Sequence, residues 1–331
     1  MFNLKIKKLC SFLALSTLIV SSFATESFAK KHPTYAQKVC NGLVQVVIHA
    51  SYGGGTDTTA RMMSIRTRRT LNTDIQVVGK RGGSGAKAQN YTLTRPKDGC
   101  TIMALTESHL YTMARGKSNM KIDDLVGVAR AMEEPNFIVV NAKNKELSTI
   151  KKFIKRAQKK PIVTGIASIG GTEHIGMYTY SQAAGVPFKA VSFGSGAQSL
   201  QALVSGKIEA TLLNPSEAVA MIEAKKIKPI ILLHDKKMSD FKKVPTSYEM
   251  GHKVKVVTTR GYAVLKGTPQ ATVDEISKGL VKAMKHETFG TYLKGAGLDP
   301  KTSPAGTEVW DKQLKENYKK AAAALKGLGL T

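Results

Sequence analysis

The sequence predicts an α/β protein of two lobes, each a mainly parallel sheet flanked by helices. Three observations carry that expectation. Short β-branched runs alternate with helix-period stretches along most of the chain, the order that builds parallel sheets through right-handed crossovers. The alternation breaks after Phe137 and then restarts as a second series. Two glycine runs, Gly53-Gly54-Gly55 and Gly170-Gly171, stand at matching places in the two series, each between an apolar run and a helix-like stretch.

Val44 to Ile48 is an apolar strand that leads through the first glycine run to a helix over residues 57–71. Residues 75–78 form the next strand. Gly82-Gly83-Ser84-Gly85 opens a helix over 87–95, and the turn Pro96-Lys97-Asp98-Gly99 returns the chain to a strand at 101–104. Phe137 to Val140 is a strand without a helical sequel of the same kind. Ile150, Phe153, Ile154 and Ala157 share one face of a helix over 148–159. The second series follows: strand 162–165, glycine loop, helix 172–184 stopped by Gly185, strand 190–192, Phe193-Gly194-Ser195-Gly196 and a helix ending at Gly206. Strand 210–213, Asn214-Pro215-Ser216-Glu217 with a further helix, and strand 230–233 complete it. A strand at 262–265 and amphipathic helices over 272–285 and 305–325 close the chain. A unit nested inside another implies a discontinuous lobe 1, residues 30–136 with 258–331, and a lobe 2 of residues 137–257.

Residues 1–29 stand apart. Lys5, Lys7 and Lys8 precede an apolar stretch from Leu9 to Val20, and Ser27-Phe28-Ala29 fits a small-x-Ala cleavage site. That is the pattern of a secretory signal peptide, with Ala24 as the second choice of site. The remaining roughly 300 residues suffice for two cores, and no later run reaches the ~18 apolar residues of a membrane span. The expected product is a soluble exported protein. Cys40 and Cys100 survive cleavage; an oxidising compartment favours a bridge between them over the alternative, two buried thiols. The formal net charge is +26, which admits nucleic acid, an anionic membrane surface or small acids as partners. Export, the scatter of lysines over helix faces and the lack of a recognition motif weigh against nucleic acid. The surplus leans toward multiply charged acids.

Glycine permits a close backbone approach, and a helix start offers unpaired N–H groups with partial positive charge. Together they suit an anion. The candidate ligand-binding residues are therefore Tyr52, Gly53, Gly54, Gly55, Thr56 and Asp57 in the first loop, and Ser168, Gly170, Gly171, Thr172 and His174 in the second. Ser195, Gly196 and Asn214 join them from neighbouring loops. Plainer roles stand beside these: Asp57 as a helix cap, His174 as a packed imidazole, Glu217 as a charge complementing its own helix dipole, and Gly82 to Gly85 as structural. Gly194-Ser195-Gly196-Ala197-Gln198-Ser199 lacks the last glycine of a dinucleotide fingerprint, and Lys87 does not complete a P-loop. The histidines show no metal spacing, so no cofactor and no metal are expected.

Taken in order, Val47 to Arg61, Pro96-Lys97-Asp98-Gly99, Gly170-Gly171-Thr172-Glu173-His174, Ala184-Gly185-Val186-Pro187 and Val191 to Gly196 carry a family pattern. Gly206 to Ala210, Pro245 to Gly251 and Lys266-Gly267-Thr268-Pro269 extend it to the C-terminal portion. The ordered set resembles the substrate-binding proteins of tripartite tricarboxylate transporters, the Bug-type receptors. The resemblance implies a periplasmic-binding-protein fold of the type II, Venus-flytrap kind that closes on a small organic acid, one carboxylate being held by the glycine loops of both lobes. It also implies delivery to a large and a small integral membrane subunit. His49, Ala50 and Tyr52 depart from the family's usual Pro, aromatic and Pro. Gly79-Lys80-Arg81-Gly82 replaces Glu-Asn-Arg-Pro, and Leu213 stands in place of Asp. Rival functions are presentation of a ligand to a membrane sensor kinase, and an exported hydrolase, against which stands the lack of a recognisable nucleophile–base pair.

Overall fold

The computed structural model describes residues 33–330; the export segment expected at 1–29 lies outside the described residues. Helix α1 (Tyr35–Val39) precedes β1 (Leu43–Ile48), α2 (Gly55–Thr70), β2 (Asp74–Gly79), α3 (Ala86–Leu93), β3 (Thr101–Leu105) and α4 (Glu107–Ala114). Strand β4 (Leu125–Pro135) then passes from the first sheet into β5 (Phe137–Asn141) of the second. That sheet is built with α5 (Ile150–Ala157), β6 (Ile162–Ile166), α6 (Thr172–Ala184), β7 (Phe188–Ser192), α7 (Gly196–Val204), β8 (Ala210–Leu213), α8 (Pro215–Glu223) and β9 (Ile227–Leu232). Strand β10 (Val257–Leu265) returns to the first sheet. Helices α9 (Gln270–Met284) and α10 (Glu287–Gly295), the short β11 (Ala305–Gly306) and α11 (Thr307–Gly327) finish the chain.

The strand orders are β11-β4-β10-β3-β1-β2 and β7-β6-β8-β5-β9. Both sheets are mixed rather than mainly parallel. The crossover-built pairs β1–β2, β1–β3, β6–β7 and β6–β8 are parallel. Strands β4, β5 and β10, which carry the chain between the sheets, lie antiparallel to their neighbours. A strand that enters a sheet from the other lobe arrives against the direction set by the crossovers.

Alternation along the strands gives each sheet two buried faces. Val46 and Ile48 of β1 pack with Met63 of α2 and Ile276 of α9, while Val47 joins Met103, Leu110 and Trp310 on the opposite face. In the second sheet Ile138 and Val140 pack with Phe153 and Tyr180, and Phe137 and Val139 with Leu203 and Ala218. Trp310 clamps α11 to the first sheet: its indole N–H donates to the Tyr262 carbonyl at 3.0 Å. A Cβ on Gly261 would lie 2.3 Å from that ring, so the strand is bare there because the tryptophan fills the space.

Where β4 becomes β5, the Asn136 N–H donates to the Val256 carbonyl at 3.0 Å and the Leu233 N–H to the Asn136 carbonyl at 2.8 Å. The Asn136 amide also donates to Thr258 Oγ1. The two connecting segments are thus tied to each other at the point where they leave one sheet for the next. A disulfide joins Cys40, at the end of α1, to Cys100, just before β3. Strand β4 and helices α4 and α10 were not foreseen. Arg130, Glu133 and Glu134 interrupt the apolar run of β4, and α4 and α10 are only 8 and 9 residues long.

Candidate functional site

The carboxyl ends of β1, β3 and β6 meet in a cleft between the two sheets, where α2, α4, α6 and α7 begin. Open α/β sheets collect ligands at such ends. Gly53 adopts φ +79° and Gly170 φ +71°, conformations that favour glycine and that turn each strand sharply into its helix. The lobes touch directly. The Ser51 N–H donates to the Gly194 carbonyl at 3.1 Å, Ser84 Oγ to the Ile169 carbonyl at 2.6 Å, and the Thr172 N–H to Ser108 Oγ at 3.1 Å. A Cβ on Gly54 would come within 2.9 Å of Ser195 Cβ, so glycine there is a condition of closure.

Two connected spaces remain. The inner one, of about 30 Å³, is walled by His49, Thr56, Ser108, Glu173, Glu217 and Arg260, with Gly55, Thr172, Ser195 and Gly196 at the helix starts. The outer one, of about 710 Å³, shares His49, Ala50 and Ala167 with it and opens past Arg81, the loop Gly82 to Gly85 and Ser168.

Arg260, buried on β10, ties the cleft together. Its guanidinium donates to Asn214 Oδ1 at 3.0 Å, Thr56 Oγ1 at 3.3 Å and Glu134 Oε2 at 3.3 Å, with Glu217 Oε2 at 3.9 Å. Burial opposes its charge, but Glu134 and Glu217 more than offset that, so the guanidinium stays ionised. Glu217 of α8 accepts the Gly55 N–H at 3.0 Å, and Glu134 accepts the Ser216 N–H at 2.9 Å. Each carboxylate caps a helix of the opposite lobe, where the helix dipole favours negative charge.

Several wall groups are neutral or only weakly acidic. Burial, with Arg260 adding to it, lowers the His49 imidazole to about 4. Burial, helped by Glu217, pushes the Glu173 carboxyl up to about 7. His109, stacked edge-on against His49 at 4.1 Å, is held neutral by burial and accepts the Thr106 N–H on Nδ1. Glu173 Oε2, His49 Nδ1 and His109 Nε2 are sealed from solvent and have no partner among the described residues.

Of the expected contacts, Gly55, Thr56, Thr172, Ser195 and Gly196 line the inner space and Ser168 the outer one. Gly54 and Gly171 cap α2 and α6 beside them. Others point elsewhere. Tyr52 is 57% exposed and its hydroxyl accepts the Gly79 N–H. Asp57 takes the Gly53 N–H and pairs with Arg61 at 2.9 Å. His174 accepts the Gly170 N–H, with the Arg115 guanidinium packed against Gly170. Asn214 spends its amide on the Glu134 and Pro135 carbonyls and its oxygen on Arg260. Ser108 and Arg260 were not foreseen as wall groups; Glu173 lay within the second loop without a role of its own, and His49 and Arg81 entered only as departures from the family pattern. A lone arginine inside an apolar strand was the one available signal for Arg260.

Two α/β lobes joined by paired crossing segments, with helix starts from both converging on one polar cleft, define a solute-binding receptor. The chain belongs to a known family of them: the model for the tripartite tricarboxylate transporter family receptor matches residues 59–330. Protein BugT of Bordetella pertussis is 21% identical over 267 residues, covering 78% of this chain and 81% of that protein. MatC of Rhodopseudomonas palustris, solved with bound malate, superposes with a TM-score of 0.79 at 21% identity, over 86% of this chain and 98% of its own. A second R. palustris protein, solved with adipate, gives 0.79 at 21% identity over 87% and 97%. No helix among the described residues is long and apolar enough to cross a membrane.

Proposed function

We propose that this protein is an exported periplasmic receptor that captures one small organic carboxylate between its lobes and hands it to the large and small membrane subunits of a tripartite transporter. The observation that carries the reading is the convergence of the α2, α6 and α7 starts, from both lobes, on a single cleft. Amides and helix dipoles there favour negative charge without a lysine or arginine at every contact. Bound malate and adipate in two similarly folded proteins support the ligand class. Mechanistically, contacts that exist only with the lobes together shift the open–closed equilibrium toward the closed form, which the membrane subunits then recognise. The protein acts as a monomer and without turnover of its ligand.

A melting screen across mono-, di- and tricarboxylates, amino acids and aromatic acids tests this. An acid at a hundred times its dissociation constant stabilises the protein by about 2.7 kcal/mol. A flat response across every acid, or robust hydrolysis of generic esters, would overturn the reading.

A further inference from the structure

We propose that the end of the second lobe remote from the cleft, built around α5, is a docking surface for an anionic phospholipid bilayer. The inference goes beyond the receptor reading and does not depend on which acid the cleft takes.

Ile150, Phe153 and Ala157 turn one face of α5 into the core of the second lobe. The other face is cationic. Lys145, Lys152, Lys155, Arg156, Lys159 and Lys160 surround an open hollow of about 710 Å³, with Glu146 as the one acid in its wall. Arg156 is spent on Glu209 at 2.6 Å. The five lysines are exposed. Among the described residues, the lysines that pair with carboxylates are Lys237, Lys255 and Lys315, all elsewhere.

This pattern costs the helix more than it supports it. Lys151 with Lys155 and Lys152 with Arg156 are spaced by four, and like charges at that spacing are destabilising. Lys151 and Lys152 also fall in the first turn, which holds no acid and where the helix dipole disfavours cations. Only Lys155 and Arg156, in the last turn, suit the dipole. Helix α11 differs: Glu308, Asp311 and Glu316 alternate with Lys312, Lys315 and Lys320. A face kept only for solubility would resemble α11. A negatively charged surface supplies the counter-charge that α5 lacks.

Topology gathers further lysines at the same end. Strand β5 finishes where β8 begins, Val140 opposite Ala210, and Lys160 stands just before β6. The Ala142 N–H donates to the Lys226 carbonyl at 3.1 Å, and Lys228 lies opposite Val140. The cleft lies past the other end of β6. A bilayer touching this end meets one lobe only, so the lobes remain free to open and close.

Compact ammonium heads on flexible stems suit a diffuse array of phosphates better than a single two-pronged contact. Helix α5 exposes no large apolar side chain, so the contact is electrostatic rather than inserted, and the anchor that centres a protein–protein interface is missing. The export expected from the sequence puts phospholipid, not nucleic acid, within reach.

Co-sedimentation of the purified protein with phosphatidylcholine vesicles, plain or carrying about a third phosphatidylglycerol, tests this at low and high salt. Binding should require phosphatidylglycerol and fall with salt. Two triple variants remove the same charge from different places: Lys155→Gln with Lys159→Gln and Lys160→Gln, and Lys312→Gln with Lys319→Gln and Lys320→Gln. The first should weaken binding at least about tenfold and the second less than about threefold. Equal losses would trace binding to net charge and overturn the inference. So would no loss in the first triple, no binding by the unaltered protein, or equal binding to plain vesicles. All six lysines are exposed, so neither triple should lower the melting temperature; a fall in the first would assign its lysines to the fold instead. A duplex oligonucleotide that displaces the vesicles from the unaltered protein, but binds the first triple poorly, would make this a nucleic-acid surface and overturn the assignment to lipid.

Discussion

Glu217 Oε1 accepts the Gly55 N–H at 3.0 Å, so a carboxylate from α8 of one lobe caps α2 of the other. The bond exists only while the lobes are together. Hydrogen bonds to charged groups contribute roughly 1.5–3 kcal/mol. Glu217→Ala should therefore shift the free protein toward an open form, read as a larger radius of gyration in solution scattering. An unchanged radius would mean that the cap does not hold the lobes.

Gly54→Val places branched carbons where Ser195 Cβ stands 2.9 Å from an added Cβ. The backbone of Gly54, at φ −77° and ψ 168°, tolerates a side chain, and the nearest atom of its own lobe, the Ser51 carbonyl oxygen at 3.2 Å from an added Cβ, has to give by only a few tenths of an ångström, so each lobe should keep its fold. Circular dichroism should match the parent while ligand-induced thermal stabilisation disappears. Retained stabilisation would show that closure does not bring these two loops into contact.

Glu173 gives a pH signature of unusual sign. Burial raises its folded carboxyl from about 4.5 to about 7, so the folded state holds a proton that the unfolded chain has lost. The stability it contributes is full below about 4.5 and falls as pH rises through about 7. Relative to Glu173→Gln, the unaltered protein should lose up to ~3 kcal/mol across that window. His49 slopes the other way, since its imidazole is lowered to about 4, but it is common to both proteins and cancels in the difference. Parallel stability curves would place Glu173 in contact with water.

Trp310 and the Cys40–Cys100 bridge concern the frame rather than the cleft. Trp310→Phe keeps most of the buried ring but leaves the Tyr262 carbonyl without its donor, a loss of about 1–3 kcal/mol in denaturant unfolding. The disulfide closes 60 residues of sequence, for which chain entropy gives about 4 kcal/mol in the oxidised protein. Unfolding with and without reductant measures it, and a thiol count on unreduced, unfolded protein should find none at these positions.

The fold was largely legible because strand and helix periods are local. Val44 to Ile48 and Ile162 to Ile166 announce themselves by β-branched runs, and the helix starts by glycine. The cleft was legible only in its backbone. Glu217 was read as a charge for its own helix, yet the helix it caps begins 162 residues away in sequence. Asn214 and Asp57 have the residue types of ligand contacts, but neighbouring groups use up their hydrogen bonds. Arg260 and Glu134 become partners only once β10 lies beside β4. Which side chains face the cleft is decided by strand register and lobe contact, and neither is written in a short motif.

A crystal structure with the tightest-binding acid decides whether both lobes hold the ligand. One acid should lie enclosed between the lobes, touching residues of the first lobe such as Arg81 or Thr56 and of the second such as Ser168 or Glu173. An acid held by one lobe alone, with the Gly54 and Ser195 loops apart, would contradict it.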